Sequence, residues 1–132
     1  MTGNKKHYLL TLTAESDFRQ ARQWSKKRWG TALTKQYFQD LHSGAEYLAQ
    51  NFHLLPDRQD ISGMTGIGAY PVREHYIIYV PVAKNQIIIV ALIRQTRDVP
   101  AILQANHYRI QKEMESISGK LENGEIPDLP LH

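Results

Sequence analysis

The chain has 132 residues, 42% of them hydrophobic, a length that suits one domain with a single core. It has no cysteine, which excludes a disulfide framework, a thiolate zinc site and a cysteine nucleophile, and no apolar run approaches the roughly 18 residues that a membrane span needs. Residues 1–111 hold 14 Lys/Arg and 8 Asp/Glu, whereas residues 112–132 hold 2 and 5, so a basic body precedes an acidic tail.

The basic body favours an anionic partner, either nucleic acid, an acidic protein surface or both. An ordinary excess of surface charge explains it equally well. The first ten residues, MTGNKKHYLL, lack the apolar segment of a secretory signal, so we expect the protein in the cytoplasm. The six histidines show no HExxH or HxH spacing, so we expect neither a metal site nor a cofactor.

The first third of the chain predicts a strand followed by two helices. Residues 7–13 are β-rich, and Thr13 followed by two acids is typical of a helix N-cap. Apolar residues then recur at near-helical spacing over residues 14–29, and Gly30 is a natural stop.

Thr31 is predicted to cap the second helix, whose apolar stripe consists of Leu33, Tyr37, Leu41, Ala45 and Leu48. Because only a short connection separates the two helices, they should form an antiparallel hairpin.

Residues 56–68 contain Pro and three Gly and predict a loop. Three β-rich segments at 69–73, 76–82 and 86–94 should then form an antiparallel meander, with a tight turn at 83–85. The run IIIVALI within the last segment lacks alternation, which is typical of a central strand covered on both faces, or covered by helices on one face and a partner on the other.

Asp98 followed by Pro100 predicts the start of a last helix. Its apolar stripe would consist of Leu103, Ile110, Met114, Ile117 and Leu121, and Gly119 should mark its end. The remaining residues, GKLENGEIPDLPLH, predict a flexible or docked acidic tail.

Four motifs in this order resemble the ParE/RelE toxin superfamily, and more closely its ParE branch. They are YLLTLTAESDFRQARQWSKKRWG, with Asp17-Phe18 and Trp29-Gly30; Ala45, Leu48 and Ala49 ahead of Pro56; YPVREHYIIYV, with Pro71, Val72, His75, Ile77 and Tyr79; and IIIVALIRQTRDVPAIL, with Arg97, Asp98 and Leu103. The sequence departs from the family where Ile93-Arg94 replaces a Leu-His pair and where an arginine near Gly68 is absent.

The resemblance implies an α+β fold: an N-terminal strand, the helical hairpin and a three-stranded meander packed on the helices, here with an extra C-terminal helix. It covers about residues 7–104, so we expect a toxin domain at 1–104 and a helical extension with an acidic tail at 105–132. It also implies the toxin of a type II toxin-antitoxin system, with a small antitoxin as its partner.

Two activities occur in the superfamily, and the resemblance leaves both open. ParE-like members inhibit DNA gyrase by protein contact, and RelE-like members cleave messenger RNA on the ribosome. A third interpretation is an inactive member that only binds a partner protein. The assembly would be a homodimer or a toxin-antitoxin hetero-oligomer, and we expect no membrane among its partners.

If the chain is a nuclease, the candidate residues are Arg73, His75, Arg94 and Arg97, because metal-free RNA cleavage needs cations for the phosphorane and groups that move protons. Strand alternation places Arg73 and His75 on one face and Glu74 on the other, which separates the proton-moving groups. Terminal salt bridges for the two later arginines, and a structural role for His75, are the alternatives.

The candidates for binding a target or antitoxin are Trp29, Arg94, Arg97, Ile110, Met114 and Ile117. The alternative for Trp29 is a core position. The apolar stripe of the last helix must be buried against its own sheet, a second copy or an antitoxin helix, and burial against its own sheet is the ordinary outcome.

Overall fold

The computed structural model describes residues 7–122, with side chains as far as Ile117. The elements are β1 (Tyr8–Leu10), α1 (Leu12–Trp29), α2 (Thr31–Asn51), a 3₁₀ turn (Phe52–Leu54), α3 (Gln59–Ser62), β2 (Gly68–Val72), β3 (His75–Ala83), β4 (Gln86–Arg94), α4 (Val99–Ala105) and α5 (His107–Glu122). The predicted α+β architecture is confirmed. The part of the predicted tail from residue 123 onwards lies outside the described residues.

Helix α1 begins two residues earlier than the sequence pattern predicted. Thr11, not Thr13, is the N-cap, and its hydroxyl accepts a hydrogen bond from the Ala14 N–H at 3.1 Å. Thr11 is fixed there because its own N–H donates to the Ile89 carbonyl at 3.1 Å. This bond is the last backbone hydrogen bond to the sheet before the helix begins at Leu12. Thr13 is already inside the first turn.

The two long helices form the predicted hairpin, joined by Gly30 alone. This residue has φ 86°, in the region that glycine enters without steric strain, and serves as the last cap of α1 and the first of α2. Thr31 is therefore the first helical residue and not the cap that we predicted. The prediction for Leu33 is also wrong, because its side chain is 61% exposed whereas Phe38 is buried.

The sheet has four strands in the order β1-β4-β3-β2. Strands β2, β3 and β4 form the predicted antiparallel meander, and β1 adds to its edge in parallel with β4, through the pairs Tyr8↔Ile87 to Leu10↔Ile89. A β-bulge interrupts the pairing of β3 with β4, since Ile78 lies opposite Ala91 but Tyr79 lies opposite Ile89.

Strand β4 is buried on both faces, as its continuous apolar run predicted. One face contacts the helical hairpin, in a cluster that includes Ile87, Ile89 and Leu92. The other face carries Ile88 and Val90 and is covered by α4 and α5. Helices on both faces thus explain why no alternation is visible in the sequence.

The segment predicted as a loop at 56–68 contains one turn of helix, α3. Ser62 organises it, since its buried hydroxyl donates to the Ile67 carbonyl at 2.7 Å and accepts from the Met64 N–H at 3.1 Å. A glycine-rich composition does not reveal local hydrogen bonds of this kind, between a side chain and nearby backbone groups.

The last predicted helix is two helices. Asp98 is the expected N-cap of α4 and accepts from the Ala101 N–H at 3.2 Å. The break falls at Asn106, whose side chain donates to the Ile102 carbonyl at 2.9 Å. Helix α5 then continues past Gly119 to Glu122, so the predicted end was wrong; an interior glycine costs a helix roughly 1 kcal/mol and does not by itself stop it.

The apolar stripe of these helices packs on the chain's own sheet. Leu103, Ile110 and Ile117 are buried in the cluster with Ile88 and Val90, and Met114 packs against that cluster. Among the described residues, no helix is both long enough and apolar enough to cross a membrane.

Candidate functional site

A cleft of about 660 Å³ lies where β4 extends beyond its short neighbour β1. Strand β1 pairs with only three residues of β4, so the far end of β4 borders α1 on one side and α4 on the other. The lining residues are Asp17, Gln20, Ala21, Trp24, His75, Leu92, Ile93, Arg94, Arg97, Ile102, Ala105 and Asn106.

Arg94, the last residue of β4, is held against Trp24 of α1. Its guanidinium lies 4.3 Å from the centre of the indole ring, within the range of a cation–π contact. The Nε atom is buried, and none of the described residues accepts a hydrogen bond from it. The carboxylate of Glu74 is 3.9 Å from the terminal nitrogen, and both side chains are partly exposed, so this pair is weak. Arg94 therefore offers a positioned but unused donor.

His75 forms the back of the cleft and is only 3% exposed. Burial, with a smaller contribution from Arg94, lowers its pKa to about 4, so the imidazole is neutral at pH 7. The Tyr37 hydroxyl accepts from the Glu74 N–H at 3.1 Å and lies 2.5 Å from His75 Nδ1. In either tautomer of the imidazole, the Tyr37 hydroxyl thus occupies Nδ1. The ring is thus held in place, and its Nδ1 is already engaged by Tyr37.

Asp17 closes the α1 side of the cleft and was not among the predicted site residues. Its carboxylate accepts from the Leu92 N–H at 3.1 Å, which satisfies a backbone group of β4 beyond the reach of β1. Burial raises its pKa to about 6, against the lowering effects of the Leu92 bond and of Arg109. Asp17 lies three residues after buried Ala14 and next to buried Phe18, at the border of the apolar face of α1. This position was the signal in the sequence that could have indicated it.

Arg97 lies in the turn after β4 and is exposed. Its N–H donates to the Arg94 carbonyl at 3.0 Å, a turn that brings both arginines to the same cleft. His75, Arg94 and Arg97 are therefore the three predicted residues that the structure brings together.

Arg73 lies elsewhere. It occupies a two-residue turn with Glu74, at φ 56°, and not the strand position that we predicted, so the argument from strand alternation was wrong. Its guanidinium binds the carboxylate of Asp40 in α2 and lies 5.8 Å from the centre of the Tyr37 ring. The hairpin turn thus directs Arg73 to the helical layer.

The remaining predicted candidates are mostly structural in their surroundings. Trp29 is half-buried, with its ring 5.4 Å from that of Trp24 and 5.3 Å from that of Tyr37, measured between centroids. Ile110 and Ile117 are buried under the sheet. Trp24, which was not among the predicted site residues, lines the cleft.

A second groove, of about 360 Å³, runs along the helical hairpin. Phe38 is part of its apolar wall, and Arg22, Lys26 and Lys35 line it with positive charge; the Arg22 guanidinium lies 4.8 Å from the centre of the Phe38 ring. An apolar groove with cationic residues around it suits an amphipathic, acidic protein segment. Within residues 7–122, no group of three or more His, Asp or Glu could hold a metal ion.

Comparison with known proteins identifies the family of the chain. The family model "ParE toxin of type II toxin-antitoxin system, parDE" matches residues 8–99. The chain belongs to the ParE toxin family. It is therefore the toxin component of a type II toxin-antitoxin system. The match ends inside α4, so α5 lies beyond the family region.

One curated relative agrees with the family, and one solved structure agrees with the fold. Toxin ParE of Escherichia coli is 25% identical over 92 residues, which cover 70% of this chain and 87% of that protein. A solved structure described as the chromosomal ParDE TA system from P. aeruginosa has the same fold, with a TM-score of 0.57 and 17% identity, over 67% of this chain and 98% of the solved one. The likeness thus takes in nearly all of the solved chain and leaves a third of this chain outside it.

Proposed function

We propose that this toxin inhibits DNA gyrase by direct protein contact in the cytoplasm and is neutralised by a small antitoxin protein. The proposal rests on the match to the ParE family over residues 8–99. The observation that favours contact over cleavage is the state of His75, a buried neutral imidazole whose Nδ1 is already bonded to Tyr37. A general base must be able to take up a proton near neutral pH, and this imidazole resists protonation until about pH 4.

The position of Arg73 supports the same choice. Arg73 binds Asp40 on the helical layer, away from the cleft that His75, Arg94 and Arg97 line. Phosphoryl transfer needs its cations and proton-moving groups around one phosphate, within hydrogen-bond reach. The surfaces that suit a protein partner are the cleft around Arg94 and the groove of the helical hairpin.

A RelE-like, ribosome-dependent endoribonuclease is the second candidate. It is favoured by one observation, the convergence of His75, Arg94 and Arg97 on one cleft. In that case the ribosome would have to supply or reposition the missing base. A member that has lost toxicity and only binds its partner is the third interpretation.

Expression in growing cells, with and without the neighbouring reading frame, tests the proposal. Gyrase inhibition predicts growth arrest with relaxed plasmid DNA and intact messages by primer extension, and co-expression of the antitoxin restores growth. Growth arrest with cuts at codons in the ribosomal A site, lost in Arg97→Ala, would instead establish the nuclease. Normal growth without the antitoxin contradicts both toxic activities. Size-exclusion chromatography of the co-expressed pair gives the assembly state.

A further inference from the structure

We propose that the cleft at the end of β4 is a carboxylate-binding site, in which Arg94, His75 and Arg97 receive an acidic side chain of the antitoxin. This inference rests on the proposed neutralisation by an antitoxin and names the surface and the chemistry that would perform it. The occupant is a protein segment that presents Asp or Glu beside an apolar residue.

The donors in the cleft are already in place. Arg94 is fixed over Trp24, and its buried Nε lacks an acceptor among the described residues. The Arg94 side chain is 37% exposed, so the ends of its guanidinium can meet a carboxylate at the surface of the cleft. The guanidinium of Arg97 adds donors to the same cleft, and the imidazole of His75 forms part of its wall.

The rest of the cleft selects against nucleic acid. A strand of RNA or DNA is held by many cations along its phosphates, whereas this cleft contains two arginines and the carboxyl group of Asp17. Its wall also contains the apolar side chains of Leu92, Ile93 and Ile102 beside the arginines. One carboxylate next to an apolar side chain would bind the arginines and pack against the apolar residues of such a wall.

The site can be tested without the antitoxin by NMR titration of the full chain with sodium glutarate and, separately, with inorganic phosphate. Glutarate should shift the Arg94 Nε–H and His75 ring resonances with saturation and raise the pKa of His75, and Arg94→Gln should abolish the effect. Arg73→Gln is the matched control, because that arginine lies outside the cleft and should leave the titration unchanged. Absence of saturable shifts, or tighter binding of phosphate than of glutarate, overturns the proposal.

The partner is tested by calorimetric titration with the antitoxin encoded beside the toxin. Arg94→Gln and Arg97→Gln should each weaken binding roughly 10- to 100-fold, the range for a charged hydrogen bond, and Arg73→Gln less than about threefold. An equal loss of affinity in all three variants would mean that general charge attraction drives binding, and it would overturn the proposed site. If the wild-type chain bound no antitoxin at all, the proposed function would fail, while the glutarate titration would still decide whether the cleft binds a carboxylate.

Discussion

The carboxylate of Glu113 in α5 accepts two hydrogen bonds from Thr13 in α1, one from the backbone N–H at 3.1 Å and one from the hydroxyl at 3.0 Å. The first turn of a helix has backbone N–H groups without partners inside the helix. Thr11 satisfies one of them, at Ala14, and Glu113 satisfies another from 100 residues away. A residue beyond the family region thus completes the cap of the first helix.

Glu113→Ala should therefore lower the free energy of unfolding by about 1–2 kcal/mol, because the Thr13 N–H and hydroxyl lose their acceptor. Urea denaturation followed by circular dichroism measures the change. Glu115→Ala is the matched control: it removes only an exposed pair with Lys112 at 3.9 Å and should change stability by less than about 0.5 kcal/mol. Equal effects in the two variants would show that Glu113 is an ordinary surface acid.

Ile110→Ala should lower the free energy of unfolding by about 2–4 kcal/mol, because this side chain is 6% exposed and fills the core between α5 and the sheet. Tyr108→Ala, on the same helix but 73% exposed, should have little effect. If instead Ile110→Ala left stability unchanged and weakened only partner binding, the stripe would belong to an interface.

Two buried groups should give opposing pH dependences. The pKa of Asp17 is raised to about 6, so between about pH 4 and 6 the folded state binds the extra proton and stability falls as pH rises. The pKa of His75 is lowered to about 4, so the unfolded state binds the extra proton between pH 4 and its ordinary value of 6.5, and stability rises with pH. The two effects should largely cancel in the wild type.

Asp17→Asn should uncover the contribution of His75. The amide oxygen can still accept from the Leu92 N–H, but the group no longer titrates. We expect the variant's stability to rise between pH 4.5 and 6.0 by about 1–2 kcal/mol more than that of the wild type, measured by urea denaturation at each pH. Parallel curves for the two proteins would mean that Asp17 is ionised throughout this range. The lowering effect of Arg109 on its pKa would then outweigh the raising effects of burial and of Glu113.

Gly68→Ala should destabilise the chain by about 1–3 kcal/mol, since a Cβ at this buried position would overlap the ring of Tyr79 on the paired strand. The control substitution is Thr65→Ala, at an exposed position in the preceding loop, and it should be nearly neutral. Thermal denaturation compares the two variants, and an unchanged midpoint for Gly68→Ala would show that Tyr79 moves aside freely.

The sequence predicted the elements whose signals are local. The meander, the helical hairpin and the Asp98 cap follow from residue types at fixed spacings and are confirmed. The choice of Thr11 over Thr13 as the cap of α1 was not local, because pairing with Ile89 and a bond to Glu113 decide it.

The candidate site was predictable only in part, for the same reason. Arg94 and Arg97 are close in the chain, so their convergence could be expected from the turn between them. Arg73 lies outside the cleft because its backbone adopts φ 56°, a conformation that nothing in its residue type indicates. Asp17 and Trp24 enter the cleft because β1 is short, and strand length is set by tertiary pairing.

Gyrase inhibition is tested most directly by a supercoiling assay with purified gyrase, relaxed plasmid and ATP, to which the toxin is added in increasing amounts. We expect a dose-dependent loss of supercoiled product, with linear DNA accumulating, and its reversal when antitoxin is added first. Undiminished supercoiling at a large excess of folded toxin over gyrase would show that gyrase is not the target.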